Sequence, residues 1–278
     1  MPLVFVPTPL GNLRDITLRA IDTLRECALV VAEDSRVARK LLTALALPGK
    51  EIFSYREQNA RGATGPILQR ARDSLVAVVT DAGMPGISDP GIALVAAARE
   101  AGIGVEVLPG PNAAVGAAVL SGFPLERFVF EGFAPRSSSA RRASFKRALA
   151  LGIASIWYES PNRIVSALRD LAQVDPAARV FLLREYTKKF EQHLGGTPGE
   201  VSAALAQPVR GEMTLVVMPS APPAAQRPSP RELDAQIDAL LGDSHSVASV
   251  AKTLSAQGLG ERRDIYARAG KRKRARGE

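Results

Sequence analysis

The sequence predicts two successive α/β domains followed by a small helical domain. Up to Met218, short apolar runs alternate with helix-like patterns, which is the signature of βαβ units. The segment L-P-G-P-N at Leu108–Asn112 interrupts this series, and the composition changes after it, at Ser220. We therefore expect domains at 1–110 and 111–219, a linker at 220–230, and a helical domain at 231–278.

The first domain is predicted to contain a mostly parallel sheet covered by helices. Its strands are short and almost continuously apolar, as expected for strands buried on both faces. The predicted strands are Leu3–Val6, Ala28–Ala32, Leu75–Thr80 and Val105–Leu108. The predicted helices are Thr17–Glu26, Val37–Leu45, Ala60–Asp73 and Ile92–Ala101.

The second domain repeats this alternation, and the same kind of sheet is expected there. Its predicted strands are Phe128–Phe130, Ile153–Tyr158, Val180–Leu183 and Met213–Met218. Its predicted helices are Ala140–Ala150, Arg163–Leu171 and Gly199–Leu205.

The C-terminal region begins with a Pro/Ala-rich segment, Ser220–Pro230, which should be extended. Arg231–Leu241 then has apolar positions at helical spacing, and Ser246–Gly258 predicts a second short helix. Short helices joined by glycine-containing turns resemble a helix-turn-helix.

The positive charge of the chain points to a polyanionic partner. The formal net charge is +8, and two segments concentrate basic residues: Arg136–Arg147 and the K-R-K-R run near the C-terminus. Lys and Arg in such runs are candidate contacts for nucleic-acid phosphates, although a solvated basic face is the alternative. The candidates are Arg136, Arg141, Arg142, Lys146, Arg147, Lys271, Arg272, Lys273 and Arg274.

Composition excludes several other classes. A single cysteine, Cys27, allows no intramolecular disulfide, and two histidines far apart in sequence make a metal centre improbable. No apolar run approaches the roughly 18 residues of a membrane span, and the N-terminus lacks the basic region of a signal peptide. We expect a cytoplasmic protein.

The loop Thr80–Gly91, T-D-A-G-M-P-G-I-S-D-P-G, follows a buried strand and precedes a helix. Three Gly, two Pro and two Asp in twelve residues exceed what one turn requires. Ligands bind outside the carboxyl ends of strands in open α/β sheets, so this loop is a candidate cofactor site. Neither G-x-G-x-x-G after a strand nor a Walker A lysine loop occurs, which excludes the common dinucleotide and ATP loops.

Other strand ends carry polar clusters: Glu33–Arg36, Tyr158–Arg163 and Arg184–Glu191. Each has a structural alternative, because an Asp or Ser there can cap a helix and Lys–Glu pairs can form surface ion pairs.

Seven segments occur in an order that resembles the tetrapyrrole-methylase superfamily, the class III S-adenosylmethionine-dependent methyltransferases. They are P-T-P-L-G-N-L-R-D-I-T, A-E-D-S-R, D-A-G-M-P-G-I-S-D-P-G, P-G-P-N-A, E-G-F-A-P, Y-E-S-P-N-R and R-E-Y-T-K-K-F-E. Within it, the chain resembles the ribosomal small subunit methyltransferase I family, which methylates a cytidine ribose 2′-hydroxyl in the decoding region of 16S ribosomal RNA.

The resemblance implies two α/β/α domains with S-adenosylmethionine in the cleft between them, a small C-terminal helical domain that binds RNA, and a homodimer acting on 16S rRNA, within the 30S subunit. It implies that the cofactor is held by Pro7, Asp81, Gly83, Met84, Ile87, Ser88, Leu108, Tyr158 and Met213.

Candidate catalytic residues are Glu33, Asp34, Arg36, Glu185 and Lys188. We expect Asp34 or Glu185 to orient or accept the hydroxyl proton, because a ribose hydroxyl is a poor nucleophile. Arg36 and Lys188 would hold RNA phosphate.

Two rival functions compete with this one, and methylation of a base in the same RNA is a third, weaker alternative. The first is a tetrapyrrole C-methyltransferase, against which the basic segments argue, because a porphyrinoid needs no extended positive surface. The second is a non-enzymatic RNA-binding protein, against which the complete set of loops argues.

Overall fold

The computed structural model describes residues 2–220, 230–242, 245–256 and 259–275. These residues form two five-stranded sheets with flanking helices, followed by three C-terminal helices. The chain divides into two compact units. Both sheets belong to the first, which runs to Leu149 and continues over Ile153–Met218; the second contains Ala150–Gly152 and the chain from Pro219 onward. The α/β class with a helical C-terminal part is thus confirmed, whereas the domain boundary near residue 110 stays a prediction.

The first sheet has the order β3-β2-β4-β1-β5, and every pairing in it is parallel, as predicted. The strands are β1 (Leu3–Phe5), β2 (Leu29–Ala32), β3 (Ile52–Ser54), β4 (Val76–Val79) and β5 (Val105–Val107). The helices are α1 (Leu18–Glu26), α2 (Ser35–Ala44), α3 (Ala60–Asp73) and α4 (Ile92–Glu100). The sequence prediction lacked β3, which is short and only half-buried.

Neighbouring residues of β1 pack into two different hydrophobic cores, one on each face of this sheet. Leu3 and Phe5 pack with α3 and α4 on one face, whereas Val4 packs with α1 and α2 on the other. This explains why the strands read as continuous apolar runs instead of alternating ones.

The second sheet has the order β6-β7-β10-β8-β9 and corrects the expectation of a mostly parallel sheet. Only β6 and β7 run parallel; the other three pairings are antiparallel. The strands are β6 (Phe128–Phe133), β7 (Ala154–Glu159), β8 (Arg179–Arg184), β9 (Gln192–Gly196) and β10 (Met213–Met218). The helices are α5 (Ala113–Ser121), α6 (Ser138–Leu149), α7 (Ile164–Val174) and α8 (Pro198–Ala204).

Helix α5 and strand β9 are the elements that the sequence prediction missed in this half. Helix α5 consists largely of Ala and Val and lacks a polar stripe, so it has no helical periodicity to detect. A start signal was present nonetheless, because the Asn112 side chain caps the helix by accepting a hydrogen bond from the Val115 amide at 3.1 Å.

The core beneath the second sheet is built around Trp157. Its ring packs edge-on against Phe145 with centroids 4.9 Å apart, and its indole N–H donates to the Ser155 hydroxyl at 3.0 Å. Both rings are about 1% exposed. Because the buried indole N–H has a hydrogen-bond partner, the ring is held in one orientation.

The C-terminal unit is a three-helix cluster: α9 (Pro230–Gly242), α10 (Val247–Ala256) and α11 (Arg262–Ala275). Its small core includes Ile237, Leu254 and Ile265. The expected linker lies mainly outside the described residues, since 221–229 are not among them. The K-R-K-R run, expected as a tail, forms the last turns of α11.

None of the described helices combines the length and the apolarity that a membrane crossing needs.

Candidate active site

A cavity of about 390 Å³ lies where loops from the ends of both sheets meet, a size typical of small-molecule sites. The first half contributes Leu10, Glu33 and the Thr80–Asp89 loop; the second contributes Phe133, the Tyr158–Pro161 segment and Glu212–Thr214, among others. Seven of the nine predicted cofactor residues line it: Asp81, Gly83, Met84, Ile87, Ser88, Tyr158 and Met213. Their contact with the cofactor stays a prediction.

The two other predicted cofactor residues do not line this cavity. Leu108 is 1% exposed and belongs to the core beneath the first sheet. Pro7 is buried, and its ring occupies the space that a side chain on Gly110 would need. Both side chains are therefore packed inside the protein instead of facing the cavity.

The Thr80–Gly91 loop is fixed by main-chain bonds to the loop after β1. Thr8 and Gly83 exchange two hydrogen bonds, of 2.9 and 3.0 Å, and the Thr8 hydroxyl donates to the Thr80 carbonyl at 3.1 Å. Gly83 has a φ of 83°, a conformation that side chains disfavour. The glycine content thus serves a defined cavity wall rather than an ordinary turn.

Three carboxylates of the first half line the cavity together, namely Glu33, Asp81 and Asp89. Burial raises the pKa of all three, and repulsion by other carboxylates adds to the rise. Asp89 and Asp81 act on Glu33, and Asp81 acts on Asp89, whereas the carboxylate that raises the pKa of Asp81 is Asp34. The Thr80 hydroxyl donates to Glu33 at 3.4 Å and also hydrogen-bonds Asp89, which opposes the rise without reversing it. A cationic ligand would relieve this repulsion.

The second half contributes an aromatic wall. Tyr158 packs edge-on against Phe130 and Phe133, at centroid distances of 5.1 and 5.6 Å, and Phe133 is 55% exposed. Burial raises the pKa of the Tyr158 phenol, so it stays neutral.

Glu159 is buried beside this wall. One of its oxygens accepts from the Ser160 amide at 2.8 Å and pairs with Arg163 at 2.6 Å. Its other oxygen, Oε2, has no hydrogen-bond partner among the described residues. The Glu159 side chain is only 1% exposed, so this oxygen is enclosed by protein next to the cavity.

Of the five predicted catalytic residues, only Glu33 lines the cavity. Asp34 instead caps α2 by accepting from the Arg36 amide at 2.8 Å, and it pairs with the Arg36 guanidinium at 2.6 Å. Hydrogen bonds from Arg36 hold the pKa of Asp34 well below its usual range. Asp34 is consequently a weak proton acceptor, and much of the hydrogen-bonding capacity of Arg36 is used within the pair.

Glu185 and Lys188 form a second such pair in the turn between β8 and β9. The Lys188 ammonium contacts Glu185 and Glu212, each at 3.0 Å, and the Glu212 amide donates to Glu185 at 3.0 Å. Although burial acts to raise the pKa of Glu185, these hydrogen bonds lower it overall, and they raise that of Lys188 despite burial. The expectation that Asp34 or Glu185 accepts the proton is therefore disfavoured on electrostatic grounds.

The predicted RNA contacts on α6 and just before it divide into two groups. Arg141 is 4% exposed and forms a two-nitrogen contact with Asp170 on α7, so it is a structural ion pair and corrects the prediction. Arg142 reaches the same carboxylate at 3.2 Å but is 40% exposed. Arg136, Lys146 and Arg147 are exposed.

In the C-terminal unit, Arg272 pairs with Asp234 and Asp238 of α9. Lys271 and Arg274 are exposed, and Lys273 is partly so. Among the predicted contacts on α11, Arg272 therefore has a packing role between helices.

Sequence reasoning missed several residues of the cavity, and most lie inside the motifs that it had found. Asp89 is in the glycine-rich loop, Phe133 in E-G-F-A-P, Glu159 in Y-E-S-P-N-R and Tyr186 in R-E-Y-T-K-K-F-E. The sequence signal that could have located each of these residues was the motif that contains it. Among the described residues, no group of three or more His, Cys, Asp or Glu side chains is arranged to hold a metal ion.

The cavity has the features that S-adenosylmethionine requires. Its aromatic and thioether side chains suit the adenosyl group, and the three carboxylates with raised pKa suit a sulfonium and an ammonium.

Comparison with known proteins agrees with this fit. The family model for tetrapyrrole (corrin/porphyrin) methylases matches residues 2–202. Two solved structures share the fold at under 25% identity. A cobalt precorrin-4 methyltransferase has a TM-score of 0.60 at 17% identity, over 78% of this chain and 94% of that one. The uroporphyrin-III C-methyltransferase of Thermus thermophilus, complexed with S-adenosylhomocysteine, has a TM-score of 0.53 at 19% identity, over 78% and 97%.

Fold and cavity thus define an S-adenosylmethionine-dependent methyltransferase of the tetrapyrrole-methylase type. Curated relatives narrow the class further. The ribosomal RNA small subunit methyltransferase I of Neisseria meningitidis serogroup A is 40% identical over 78% of this chain and 76% of its own length. That of Thermotoga maritima is 40% identical over 77% and 97%. The chain belongs to the ribosomal RNA small subunit methyltransferase I family.

Proposed function

We propose that the chain transfers the methyl group of S-adenosylmethionine to the ribose 2′-hydroxyl of a cytidine in the decoding region of 16S ribosomal RNA, in the cytoplasm and within the 30S subunit. The observation that carries this proposal is the 40% identity, over more than three-quarters of the chain, to relatives named for the small ribosomal subunit. The porphyrinoid methyltransferases share only the fold, at 17–19% identity.

The residues of the cavity are suited to different roles in binding the cofactor. Met84, Phe133, Tyr158 and Met213 would enclose the cofactor, and Asp81 and Asp89 would face its positive charge. When bound, S-adenosylmethionine supplies an electrophilic methyl group. Exclusion of water by the aromatic wall would strengthen these electrostatic contacts.

Glu33 is the side chain we assign to proton transfer. It lines the cavity at the end of β2, and burial together with Asp89 and Asp81 raises its pKa toward the range in which a carboxylate is a useful base. In the proposed reaction, the 2′-oxygen forms a bond to the methyl carbon while the bond from that carbon to sulfur breaks. S-adenosylhomocysteine would be the leaving group, and Glu33 would take the hydroxyl proton.

Exposed basic side chains provide the proposed RNA contacts. On α6 these are Arg142, Lys146 and Arg147, with Arg136 just before the helix, and on α11 they are Lys271, Lys273 and Arg274. Arg36 and Lys188 are retained as weaker candidates, because both already pair with carboxylates.

A homodimer is proposed as the working form. Val115 and Val119 lie one turn apart on α5 and are 52% and 66% exposed, and Val107 on the edge strand β5 is 55% exposed. Such side chains favour burial against another protein surface. Light scattering after size-exclusion chromatography should give twice the mass of the chain, and a monomeric mass would refute this part.

The decisive experiment is transfer of radiolabelled methyl from S-adenosylmethionine to isolated 30S subunits, with nuclease mapping of the product. We expect label in one decoding-region cytidine, whose 3′ linkage resists alkaline cleavage. Label on a base would leave that linkage sensitive. Absence of label in RNA, despite measurable cofactor binding, would overturn the proposal in favour of a small-molecule substrate.

A further inference from the structure

The turn between β8 and β9 exposes an aromatic ring that the fold does not use. Phe190 is 66% exposed, the largest exposed fraction of any aromatic side chain in the described residues. It belongs to none of the hydrophobic clusters of either compact unit. The Lys189 ammonium lies 5.6 Å from the centre of the ring.

The turn that carries this ring is held in one shape. Lys188 and Glu191 amides close two successive turns by donating to the Glu185 and Lys188 carbonyls at 3.0 and 3.1 Å. The Glu191 carboxylate accepts from the Thr187 amide at 2.7 Å. Glu185 and Thr187 have positive φ values of 53° and 63°, which non-glycine residues adopt only when their surroundings impose it.

Neighbouring elements also fit closely around the turn. A side chain on Gly116 of α5 would lie 2.6 Å from the Tyr186 ring, so the ring packs where only glycine fits. The Asn12 amide, from the loop after β1, donates to the Thr187 hydroxyl at 3.2 Å. A turn fixed in advance loses little conformational entropy when its tip binds a partner.

The turn borders the cavity. Tyr186 lines the main cavity, and Tyr186 with Thr187 lines a second cavity of about 300 Å³ that also contains Leu10 and Asn112. Phe190 lies three residues beyond Thr187 in the chain.

We propose that Phe190 and Lys189 form a stacking platform for an unpaired base of the RNA substrate. An exposed ring beside a cation suits a nucleobase, because the ring stacks on the base while the ammonium faces the neighbouring phosphate. The inference deepens the proposed function and rests on an RNA substrate. It adds a contact to the base, whereas the basic side chains of α6 and α11 contact the backbone.

The test compares substitutions at Phe190 in the full-length protein. Phe190→Ala should raise KM for 30S subunits roughly 5- to 150-fold, the range for loss of one base–aromatic stack, with kcat and S-adenosylhomocysteine affinity nearly unchanged. Phe190→Trp should retain the wild-type KM, whereas Phe190→Leu, which is apolar but cannot stack, should resemble Phe190→Ala. Phe128→Ala is the matched control, because Phe128 is 43% exposed at the start of β6.

The inference is overturned by a Phe190→Leu variant with wild-type KM, or by Phe190→Ala behaving like Phe128→Ala. Binding of a single-stranded RNA oligonucleotide separates this failure from failure of the proposed function. Loss of oligonucleotide affinity in Phe190→Ala supports the platform even for a wild-type protein that does not label 30S subunits, and unchanged affinity counts against it. Because Phe190 lies outside the cores, the variants should melt at the wild-type temperature.

Discussion

Acidic side chains lie in both halves of the α/β unit, and their surroundings shift their pKa values in opposite directions. Glu33, Asp81 and Asp89, which line the cavity, have raised pKa values, because they are partly buried and are repelled by other carboxylates. Glu185 in the second half has a lowered pKa, because Lys188 and the Glu212 amide outweigh its burial. In the proposed function, Glu33, Asp81 and Asp89 form a reactive wall, whereas Glu185 and Lys188 form a structural clamp.

The largest expected effect is a difference in kcat between a variant of Glu33 and a variant of Glu185. Glu33→Gln should lower kcat by about 10²- to 10⁴-fold, because the proton acceptor is removed while its shape is kept. Glu185→Gln should lower kcat less than about tenfold. Single-turnover methyl transfer with saturating cofactor measures both. Equal losses in the two variants, or a fully active Glu33→Gln, would remove the distinction.

A smaller effect should appear in the stability of the clamp. Lys188→Met removes the cation beside Glu185 and should lower the free energy of unfolding by about 1 kcal/mol, since the pair is only partly shielded from water. Denaturant unfolding of the single and double variants with Glu185→Gln measures the coupling. Additive losses would show that the two side chains do not act as a pair.

The reactive wall should show the opposite sign of stability change. The raised pKa of Asp89 means that its contribution to stability is complete below its unfolded pKa of about 3.9 and is lost as pH rises through the folded pKa. Asp89→Asn should therefore stabilise the protein at neutral pH, by less than about 1 kcal/mol, and the gain should vanish toward pH 3.

For Glu185 the lowered pKa gives stability that is present above its unfolded pKa and is lost as pH falls through the folded pKa. Glu185→Gln should accordingly destabilise at neutral pH, with the difference closing in acid. Thermal unfolding of both variants across pH 3–8 tests the contrast. It fails if the two variants change stability in the same direction at neutral pH.

The smallest expected effect is a displacement of the acid limb of the pH–rate profile. Activity should fall in acid as Glu33 becomes protonated, and removal of the Asp89 charge should move that limb to lower pH. Asp22→Asn, at an exposed ion pair on α1, is the control and should leave it in place. An unmoved limb in Asp89→Asn would argue that Glu33 is not the titrating group.

The first half was more predictable from sequence than the second for a topological reason. Strands such as Val76–Val79 are buried on both faces, and a continuous apolar run with helices between strands indicates a parallel sheet. In the second half the same alternation conceals three antiparallel pairings, because β8 and β9 are joined directly through residues 185–191 and β10 returns between β7 and β8. Strand direction there depends on long-range pairing that local patterns do not encode.

The site shows a similar division. Motifs located the cavity, because glycine and proline fix loop shape locally. The charge environment of the side chains was harder to predict from the sequence. Arg141 is buried against Asp170, which lies 29 positions away on another helix. Asp34 and Arg36 are only two residues apart, and the position of Asp34 at the start of α2 was a local signal that it caps the helix. The catalytic roles predicted for these two residues conflicted with that signal.

The buried indole of Trp157 has a practical consequence for all these measurements. It is the single tryptophan of the chain, so its fluorescence arises from one place, the apolar core under the second sheet. Its emission should be blue-shifted in the native state and should move to the red when that core opens. Neighbouring residues of β7, Tyr158 and Glu159, line the cavity, and ligand-induced changes in this strand should therefore be recorded by an intrinsic optical reporter without chemical labelling.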